Sequence, residues 1–401
     1  MRNTESSLKL VTPPTWRDAV KDVSRALAAT AVERDARGGT AKAERDVIRQ
    51  SGLLALSIPK EHGGLGASWG DTLGVVREFA RVDSSLAHLF AFHHLLLATT
   101  RLFGQPAQWR PWHEQTVAQG WFWGNALNPL DKATRAVPHG SSDQGGLLFR
   151  GRKSFCSGAS DSDMLIASAL DGEGRLLIGV VPTARRGITV LQDWDNMGQR
   201  QTDSGSVLFD DVEVAQDELL TDPGPLSSPF ACLRPLLAQL ILANVYLGLG
   251  EGALQEARAF TRTQARPWVT SPAAHAHEDP YVLGHYGDFW LALHGARALA
   301  DEAADALDQA WQRGHALTAH ERGEVAIAVA AAKVATTRAS LEVAHRMFEV
   351  TGARATTTAL RLDRYWRNLR VHTLHDPVDY KVRELGDFAL NERHPAPSFY
   401  A

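Results

Sequence analysis

Residues 361–381 read RLDRYWRNLRVHTLHDPVDYK and concentrate arginines, histidines and aromatic residues in a segment with helical spacing. His372 and His375 are three residues apart, so a helix would place them on the same face. Asp376 and Pro377 follow at once, and a proline disfavours helical geometry in the residue before it. We therefore expect both histidines at the end of a helix, where their side chains can enter a cavity and form part of a functional site.

The composition is that of an ordinary globular protein. The chain has 401 residues, of which 44% are hydrophobic and 22% are charged, and its net charge is −4. This balance gives no electrostatic reason to expect nucleic acid or an anionic membrane as a partner. Cys156 and Cys232 are too few for a disulfide framework or a cysteine-based zinc site, which favours a reducing, cytoplasmic setting. Residues 1–14 lack the apolar core of a signal peptide, and the apolar run 235–250 is too short to cross a bilayer.

The periodicity and composition of the sequence divide the chain into three predicted domains. Residues 1–119 carry helical patterns, residues 120–222 carry short alternating runs separated by Gly, Asp and Pro, and residues 223–401 return to helical, Ala-rich patterns. The strand-and-turn spacing of the middle part predicts a small β-barrel or sandwich. The long periodic stretches 289–311 and 324–350 predict a C-terminal helix bundle. The predicted fold class is therefore α+β, in the order helical, β and helical.

The order of the motifs gives the chain a family resemblance. The motifs are IPKEHGGLG (58–66), LNPLD (127–131), GRKSFCSGA (151–159), MGQRQTDSGSVLFDDVEV (197–214) and VTGARATTTALRLDRYWRNLRVHTLHDPVDYK (350–381). The chain resembles the acyl-CoA dehydrogenase superfamily over nearly its whole length. The last motif resembles the flavin-dependent monooxygenase branch, which includes dibenzothiophene monooxygenases and sulfur-acquisition oxygenases. The resemblance implies an N-terminal helical domain, a middle β-domain, a C-terminal four-helix bundle and a flavin cofactor.

The resemblance also implies which residues of the β-domain would meet the flavin. Ser157 stands where relatives place a hydroxyl beside flavin N5, and in a monooxygenase such a hydroxyl can hydrogen-bond the flavin C4a-hydroperoxide. Phe155 stands where relatives often place an aromatic wall against the ring. Asn128 falls in the loop that covers the pyrimidine end of the ring in relatives, although an Asn before a Pro is also an ordinary turn residue.

Histidines are the predicted acid–base residues. A neutral imidazole can donate or accept a proton near neutral pH, and reduced flavin exchanges protons as it reacts with oxygen. We assign this role to His375 and a supporting role to His372, for which an inter-helix hydrogen bond is the alternative. Adjacent residues on a helix point about 100° apart, so His93 and His94 cannot both face one small cavity. Because monooxygenase relatives place an active-site histidine in this helix, we predict His93.

Arginines are the candidates for binding the flavin phosphate, whose geometry the guanidinium group matches well. Arg266 and Arg370 are predicted for this role, and Arg262 is a further candidate. The arginines at positions 361, 364, 367 and 370 recur every third residue. Most of them are predicted to form inter-helix or inter-subunit ion pairs.

The other cofactor expectations are negative. No Rossmann or P-loop glycine signature lies in the right strand–helix context, so a separate NAD(P)H:flavin reductase is expected to supply reduced FMN. Two histidines without a clear third ligand are a weak indication of a metal, and none is predicted. His275, His277 and Glu278 lie in a Pro-rich loop, which we interpret as a lid over the active site rather than a metal site.

Three functions remain to be compared. The favoured hypothesis is a two-component monooxygenase that uses reduced FMN and O2 to oxygenate a small organosulfur compound. Thioethers, sulfones, sulfinates, thiophenes and even nitrogen compounds stay open as substrates. The alternative is an FAD-dependent acyl-CoA dehydrogenase with Asp376 as the α-proton base, where dehydrogenases commonly carry a Glu. A non-catalytic helical adaptor is the least favoured. The resemblance further implies a homotetramer whose flavin sites lie near subunit contacts.

Overall fold

The first part of the fold is a group of five helices. The computed structural model describes residues 15–139 and 146–401, so the predicted N-terminal segment 1–14 and most of the turn predicted around residues 142–146 lie outside the described residues. The helices are α1 (Trp16–Arg37), α2 (Lys42–Gln50), α3 (Trp69–Val82), α4 (Ser84–Phe103) and α5 (Pro106–Gln119). Asp83 begins α4, because its side chain accepts a hydrogen bond from the backbone of Leu86. Nearly all of α4 is buried, as expected for a helix that is apolar on every side.

The middle part is one curled, mixed β-sheet. Its strands are β1 (Trp123–Ala126), β2 (Arg135–Pro138), β3 (Leu147–Lys153), β4 (Met164–Leu170), β5 (Leu176–Pro182), β6 (Ile188–Val190) and β7 (Val207–Val214). They lie in the order β1-β4-β2-β3-β7-β6, with β5 also paired to β4. β1 and β2 run parallel to β4, and the other pairs are antiparallel. Phe149, Leu165 and Val212 belong to a small core of this sheet, separate from the main helical core.

The C-terminal part is a helix bundle. Its helices are α6 (Leu233–Thr263), α7 (Pro280–Arg313), α8 (Ala319–Thr351), α9 (Asp363–His372) and α10 (Val378–Asn391). The side chains of Asp279 and Thr318 cap α7 and α8 by accepting hydrogen bonds from backbone N–H groups of the first turn. By length and composition alone α6 could cross a membrane, but its most apolar stretch is wholly buried inside the protein. The three parts confirm the predicted α+β fold class.

The segment that carries the two C-terminal histidines differs from the expectation. α9 ends at His372, residues 373–376 form a turn, and α10 begins at Val378. His375 therefore lies in the turn, three residues beyond the helix, and the expectation that both histidines share one helix face is wrong. The chain leaves the helix early because Pro377 disfavours helical geometry at Asp376 and has no N–H to continue the hydrogen-bond ladder.

Candidate active site

A buried histidine–serine pair forms the centre of the candidate site. α4 supplies His88, and the segment between β3 and β4 supplies Ser157. Nε2 of His88 lies 3.0 Å from Oγ of Ser157, whose hydroxyl also lies 2.7 Å from the hydroxyl of Ser204. Both His88 and Ser157 are buried. The structure thus joins Ser157, predicted from the sequence, to a histidine of α4.

His372 completes this centre from the end of α9. Its ring lies edge-on to the ring of His88, with 4.8 Å between the centroids. The side-chain amide of Gln199 lies 3.4 Å from Nδ1 of His372 and donates toward it. The hydroxyl of Tyr246 donates to the backbone carbonyl of His372 at 2.8 Å. His372 is therefore fixed by α6 and by the loop before β7, as an inter-helix hydrogen-bonding residue would be, and it also lies at the centre of the site.

Two ring nitrogens, one in each of His88 and His372, have no hydrogen-bond partner among the described residues. They are Nδ1 of His88 and Nε2 of His372, and both are buried. Burial, with a smaller contribution from His375, lowers the pKa of His88 to about 3. Burial also holds the pKa of His372 well below its usual value. Both rings are therefore neutral at neutral pH. Because a buried polar atom without a partner is costly, these two nitrogens indicate a place where a ligand supplies the missing hydrogen bonds.

The predicted acid–base residue His375 lies beside this pair and is partly exposed. Its Nδ1 lies 3.2 Å from Oδ1 of Asp376, and the same carboxylate oxygen lies 3.2 Å from Nζ of Lys333. Burial alone would raise the pKa of Asp376, but the hydrogen bond from His375 and the charge of Lys333 outweigh it and hold the pKa below its usual range. Asp376, the base of the alternative dehydrogenase reading, is thus engaged by two partners.

An aromatic surface flanks Ser157. Phe155 is 60% exposed and has a positive φ of 57°, an uncommon backbone conformation for a residue other than glycine. Its ring packs edge-on against Trp194 at 5.9 Å, and the indole N–H of Trp194 donates to the carbonyl of Gln199 at 2.8 Å. The pair forms an apolar wall that leads to the loop holding His372.

Asn128 is placed as a turn residue. Its side-chain amide donates to the carbonyl of Ser154 at 3.2 Å, and its own carbonyl accepts a hydrogen bond from Lys153 at 3.1 Å. These contacts match the turn alternative, and Asn128 remains next to the segment that carries Phe155. A contact with the flavin stays a prediction.

The structure does not bring His93 to Ser157. Nε2 of His93 lies 2.8 Å from the carbonyl of Leu54, and the backbone N–H of Trp123 donates to its Nδ1 at 3.3 Å. His93 is fully buried, and both of its ring nitrogens are used to join α4 to the neighbouring backbone. The histidine of α4 that meets the serine is instead His88.

The arginines of the last motif mostly form ion pairs. Arg361, just before α9, and Arg367, within α9, both bind the carboxylate of Asp35 in α1, at 2.7 and 2.6 Å. The pair of Arg367 is an inter-helix pair, as predicted. Arg370 is half-buried, and its side chain has no described hydrogen-bond partner.

The predicted phosphate ligand Arg266 lies in the loop between α6 and α7. It is exposed and follows the end of α6 at Thr263. Tyr246, which contacts His372, lies 17 residues before Thr263, which corresponds to about 25 Å along a helix axis. A contact between Arg266 and the flavin phosphate stays a prediction.

The loop of His275, His277 and Glu278, predicted to be a lid, forms no metal-ligand cluster among the described residues. The rings of His275 and His277 are stacked with 5.3 Å between centroids. Within residues 15–139 and 146–401, the one group of histidine and carboxylate atoms close enough to hold a metal is His320, Glu324 and His394, near the surface of the bundle.

Three residues of the site escape prediction from the sequence: His88, Gln199 and Lys333. His88 lies in a helix without a polar face, so the sequence does not separate it from His93. Gln199 lies in a loop with no periodic pattern. Lys333 does leave a signal, because it is the single charged residue between positions 325 and 337. A lone cation in such an apolar run indicates a buried partner.

The fold and the sequence together define the class of protein. The acyl-CoA dehydrogenase N-terminal domain family matches residues 15–119, and the acyl-CoA dehydrogenase C-terminal domain family matches residues 240–380. The chain therefore belongs to the acyl-CoA dehydrogenase family.

Particular relatives give the branch within this family. The chain is 60% identical over 393 residues to a probable FMNH2-dependent monooxygenase, SfnC, of Pseudomonas putida, covering 97% of this chain and 98% of that protein. It is 44% identical over 396 residues to a dibenzothiophene monooxygenase of Rhodococcus erythropolis, covering 94% of each. The methanesulfinate monooxygenase MsuC of Pseudomonas fluorescens matches with a TM-score of 0.94 and 59% identity, over 98% of this chain and 100% of that one. FMN-bound TdsC of Paenibacillus sp. A11-2 matches with a TM-score of 0.91 and 42% identity, over 96% and 100%. The protein is an FMN-dependent monooxygenase, as predicted.

The residues of the site fit this cofactor. A flavin ring needs an apolar wall and small polar groups at its heteroatom edge. Phe155 and Trp194 supply the wall, and Ser157 supplies a hydroxyl that is already oriented by His88. The unpartnered nitrogens of His88 and His372 supply further hydrogen-bonding groups. We therefore expect these residues to hold the ring of FMN.

Proposed function

We propose that the protein is the oxygenase of a two-component system that oxygenates a small organosulfur compound. A separate NAD(P)H:flavin reductase would supply reduced FMN. Bound FMN would supply the oxygen-transferring chemistry, as the C4a-hydroperoxide expected from the sequence, with one atom of O2 passing to sulfur and the other leaving as water. The observation that carries the proposal is the pair of neutral, buried imidazoles beside Ser157, each with one unpartnered nitrogen.

These residues suit the protection of a reactive oxygen species. Ser157, His88 and His372 donate and accept hydrogen bonds without carrying charge, and all three are buried. The amide of Gln199 donates toward Nδ1 of His372, which leaves the proton of the neutral ring on Nε2 as a donor. A proton held on Nε2 of His372 can thus form a hydrogen bond to the oxygen bound to the flavin, which helps to prevent the loss of that oxygen as hydrogen peroxide.

The dehydrogenase alternative is less well supported. Removal of an α-proton needs a carboxylate that is free to accept it, with a pKa near the working pH. The carboxylate bonded to His375 is that of Asp376. Its oxygen is bound to Lys333 and His375, and its pKa is lowered, so it is a poor base.

The substrate class rests on the relatives. The names of MsuC and of the Rhodococcus protein give methanesulfinate and dibenzothiophene as their respective substrates. Both are sulfur compounds, and the protein with the small substrate is 59% identical to this chain, against 44% for the other. We therefore favour a small sulfinate or sulfide over a fused aromatic thiophene.

We also propose that the active form is a homotetramer in the cytoplasm. Arg266 lies in the loop after α6, and we propose that its phosphate contact is with the flavin of a second copy. Large apolar side chains are exposed along the start of α7 and the loop before it, and these are Trp268, Val269, Tyr281, Leu283, Trp290 and Leu291. Exposed apolar patches of this kind mark protein–protein contacts. Light scattering of the purified protein tests the tetramer, and a monomer at micromolar concentration would contradict it.

Reconstitution tests the function. The purified protein is mixed under air with a flavin reductase, NADH and FMN, together with methanesulfinate, dimethyl sulfide, dimethyl sulfone or dibenzothiophene. We expect an oxygenated sulfur product that requires both proteins and incorporates ¹⁸O from ¹⁸O2. In a parallel anaerobic experiment, CoA thioesters are added to the FAD-loaded protein. Bleaching of the flavin there, with no sulfur product in the first experiment, would establish the dehydrogenase alternative instead.

A further inference from the structure

Lys333 is a buried cation in the middle of the C-terminal bundle. It lies in α8, and its side chain is 1% exposed. Its ammonium group donates to Oε1 of Gln239 at 2.8 Å and to Oδ1 of Asp376 at 3.2 Å, and it lies 5.1 Å from the centre of the Tyr246 ring. Replacing a buried ion pair with apolar residues is often neutral or stabilising. The stability of the bundle therefore does not explain why Lys333 is charged.

The ion pair reaches His375 through Asp376. The carboxylate oxygen that binds Lys333 also lies 3.2 Å from Nδ1 of His375. The lowered pKa of Asp376 keeps this carboxylate ionised, and an ionised carboxylate only accepts hydrogen bonds. Nδ1 of His375 must therefore carry a proton to make this contact. In the neutral ring, Nε2 is then the nitrogen with the free lone pair.

His375 has little else to orient it. It lies in the turn of residues 373–376, and its side chain is 40% exposed. Its backbone N–H donates to the carbonyl of His372 at 3.1 Å, and its ring centre lies 6.3 Å from that of Tyr400. Without Asp376 the ring could rotate and exchange its tautomer.

We propose that Lys333 and Asp376 are positioning residues that fix the tautomer and orientation of His375, so that its Nε2 is the proton acceptor of the oxygenation reaction. Lys333 donates a hydrogen bond to the carboxylate of Asp376 and orients it, and this carboxylate accepts a hydrogen bond from Nδ1 of His375 and orients the imidazole. This inference rests on the proposed function, because the oxygenation reaction supplies the proton that His375 would accept. Other charged or titratable groups around the cluster are His88 of α4, Tyr246 of α6, His372 of α9, Lys381 of α10 and Tyr400 of the C-terminal segment. Among the described residues, the hydrogen bond of the His375 ring is to Asp376.

A pair of substitutions separates positioning from stability. Lys333→Met and Asp376→Leu each leave one buried charge without its partner, so we expect each single variant to melt well below the wild type. The double variant has no unpaired charge, and we expect its melting temperature to return close to the wild-type value. If the pair positions His375, product formed per FMNH2 consumed stays about 10- to 100-fold below wild type in the double variant, as for other residues that orient a functional histidine. Recovery of both stability and coupling would overturn the proposal.

The tautomer of His375 gives a readout on the wild-type protein that does not depend on catalysis or on the double variant. ¹⁵N NMR of histidine-labelled wild-type protein, with His375→Gln used to assign the signal, is expected to show the proton on Nδ1. A proton on Nε2 in the wild type would overturn the proposal even if the double variant failed to fold. If the wild type shows the expected tautomer but oxygenates none of the sulfur compounds, the proposed function fails and the role of Nε2 as a proton acceptor fails with it, so the two failures are distinguishable.

Discussion

Replacing His88 with leucine should leave the apo protein at least as stable as the wild type while removing most of its coupled oxygenation. The substitution loses one hydrogen bond to Ser157, worth about 0.5–1.5 kcal/mol. It also removes Nδ1, a buried nitrogen with no described partner, whose desolvation costs about 1–3 kcal/mol. Ser157 keeps its contact with Ser204 at 2.7 Å. The two contributions nearly cancel or favour the variant, and a leucine side chain suits the apolar surroundings.

The matched control is His93→Leu, five residues further along the same helix. Here both ring nitrogens are bonded, to the carbonyl of Leu54 and the N–H of Trp123. Two buried backbone groups would lose their partners at about 1–3 kcal/mol each, so we expect a loss of about 2–6 kcal/mol. The site that contains Ser157 is untouched, and coupling per folded molecule should stay near the wild-type value.

The assay measures two quantities for each variant. Scanning calorimetry without FMN gives the melting temperature, and single-turnover reaction with reduced FMN gives the ratio of oxygenated product to hydrogen peroxide. We expect His88→Leu to melt within a few degrees of the wild type and to lose about 10²- to 10⁴-fold in product formation, the usual range for a proton-handling group. The reverse pattern, in which His93→Leu is stable but uncoupled, would refute the assignment of the site to His88.

Three further predictions concern other parts of the structure. Burial lowers the pKa of His113 to about 4, while its pKa in the unfolded chain stays near 6.5. Between these two pH values the unfolded chain binds more protons, so about 3 kcal/mol of stability is lost as the pH falls from 6.5 to 4. The melting temperature of His113→Gln should therefore depend less on pH over that window. Arg367→Ala removes one of the two arginines that bind the buried Asp35 and should cost about 1–3 kcal/mol in urea unfolding, and an unchanged midpoint would show that the other arginine suffices. Arg266→Ala should leave the melting temperature unchanged but weaken FMN binding in fluorescence titration of the oligomer, and unchanged FMN affinity would contradict the phosphate contact.

The architecture could be predicted from the sequence because its signals are local. Helical and strand periodicities follow from which side chains face a core, and the long stretches of α6, α7 and α8 have few residues that break a helix. The motifs around Ser157 and the C-terminal histidines lie at characteristic distances along the chain. The predicted fold, class and FMN cofactor are therefore confirmed, and the class and the cofactor depend on the family resemblance that these motifs carry.

The details of the site depend on contacts that the sequence does not show. Because α4 is buried on every side, nothing in its pattern tells which histidine meets Ser157 and which bonds to backbone. Gln199 reaches His372 only through the folding of a loop with a positive φ of 52°. Arg266 is predicted only from the match between a guanidinium group and a phosphate, and its contact with the flavin stays a prediction.

The end of α9 explains how this fold can favour oxygen chemistry over α-proton removal. A carboxylate can act as a base only while it is free and its pKa is near the working pH. Here the nearby carboxylate, Asp376, is hydrogen-bonded to Lys333 and to Nδ1 of His375. These contacts keep the carboxylate ionised and make it a poor proton acceptor. The groups left to handle protons are imidazoles, two of them buried and neutral. A neutral imidazole can donate a hydrogen bond to an oxygen atom that gains negative charge during the reaction, and the imidazole carries no charge before that reaction begins. The buried lysine thus has a consequence for the chemistry, because it converts the carboxylate of a potential dehydrogenase base into a support for a histidine.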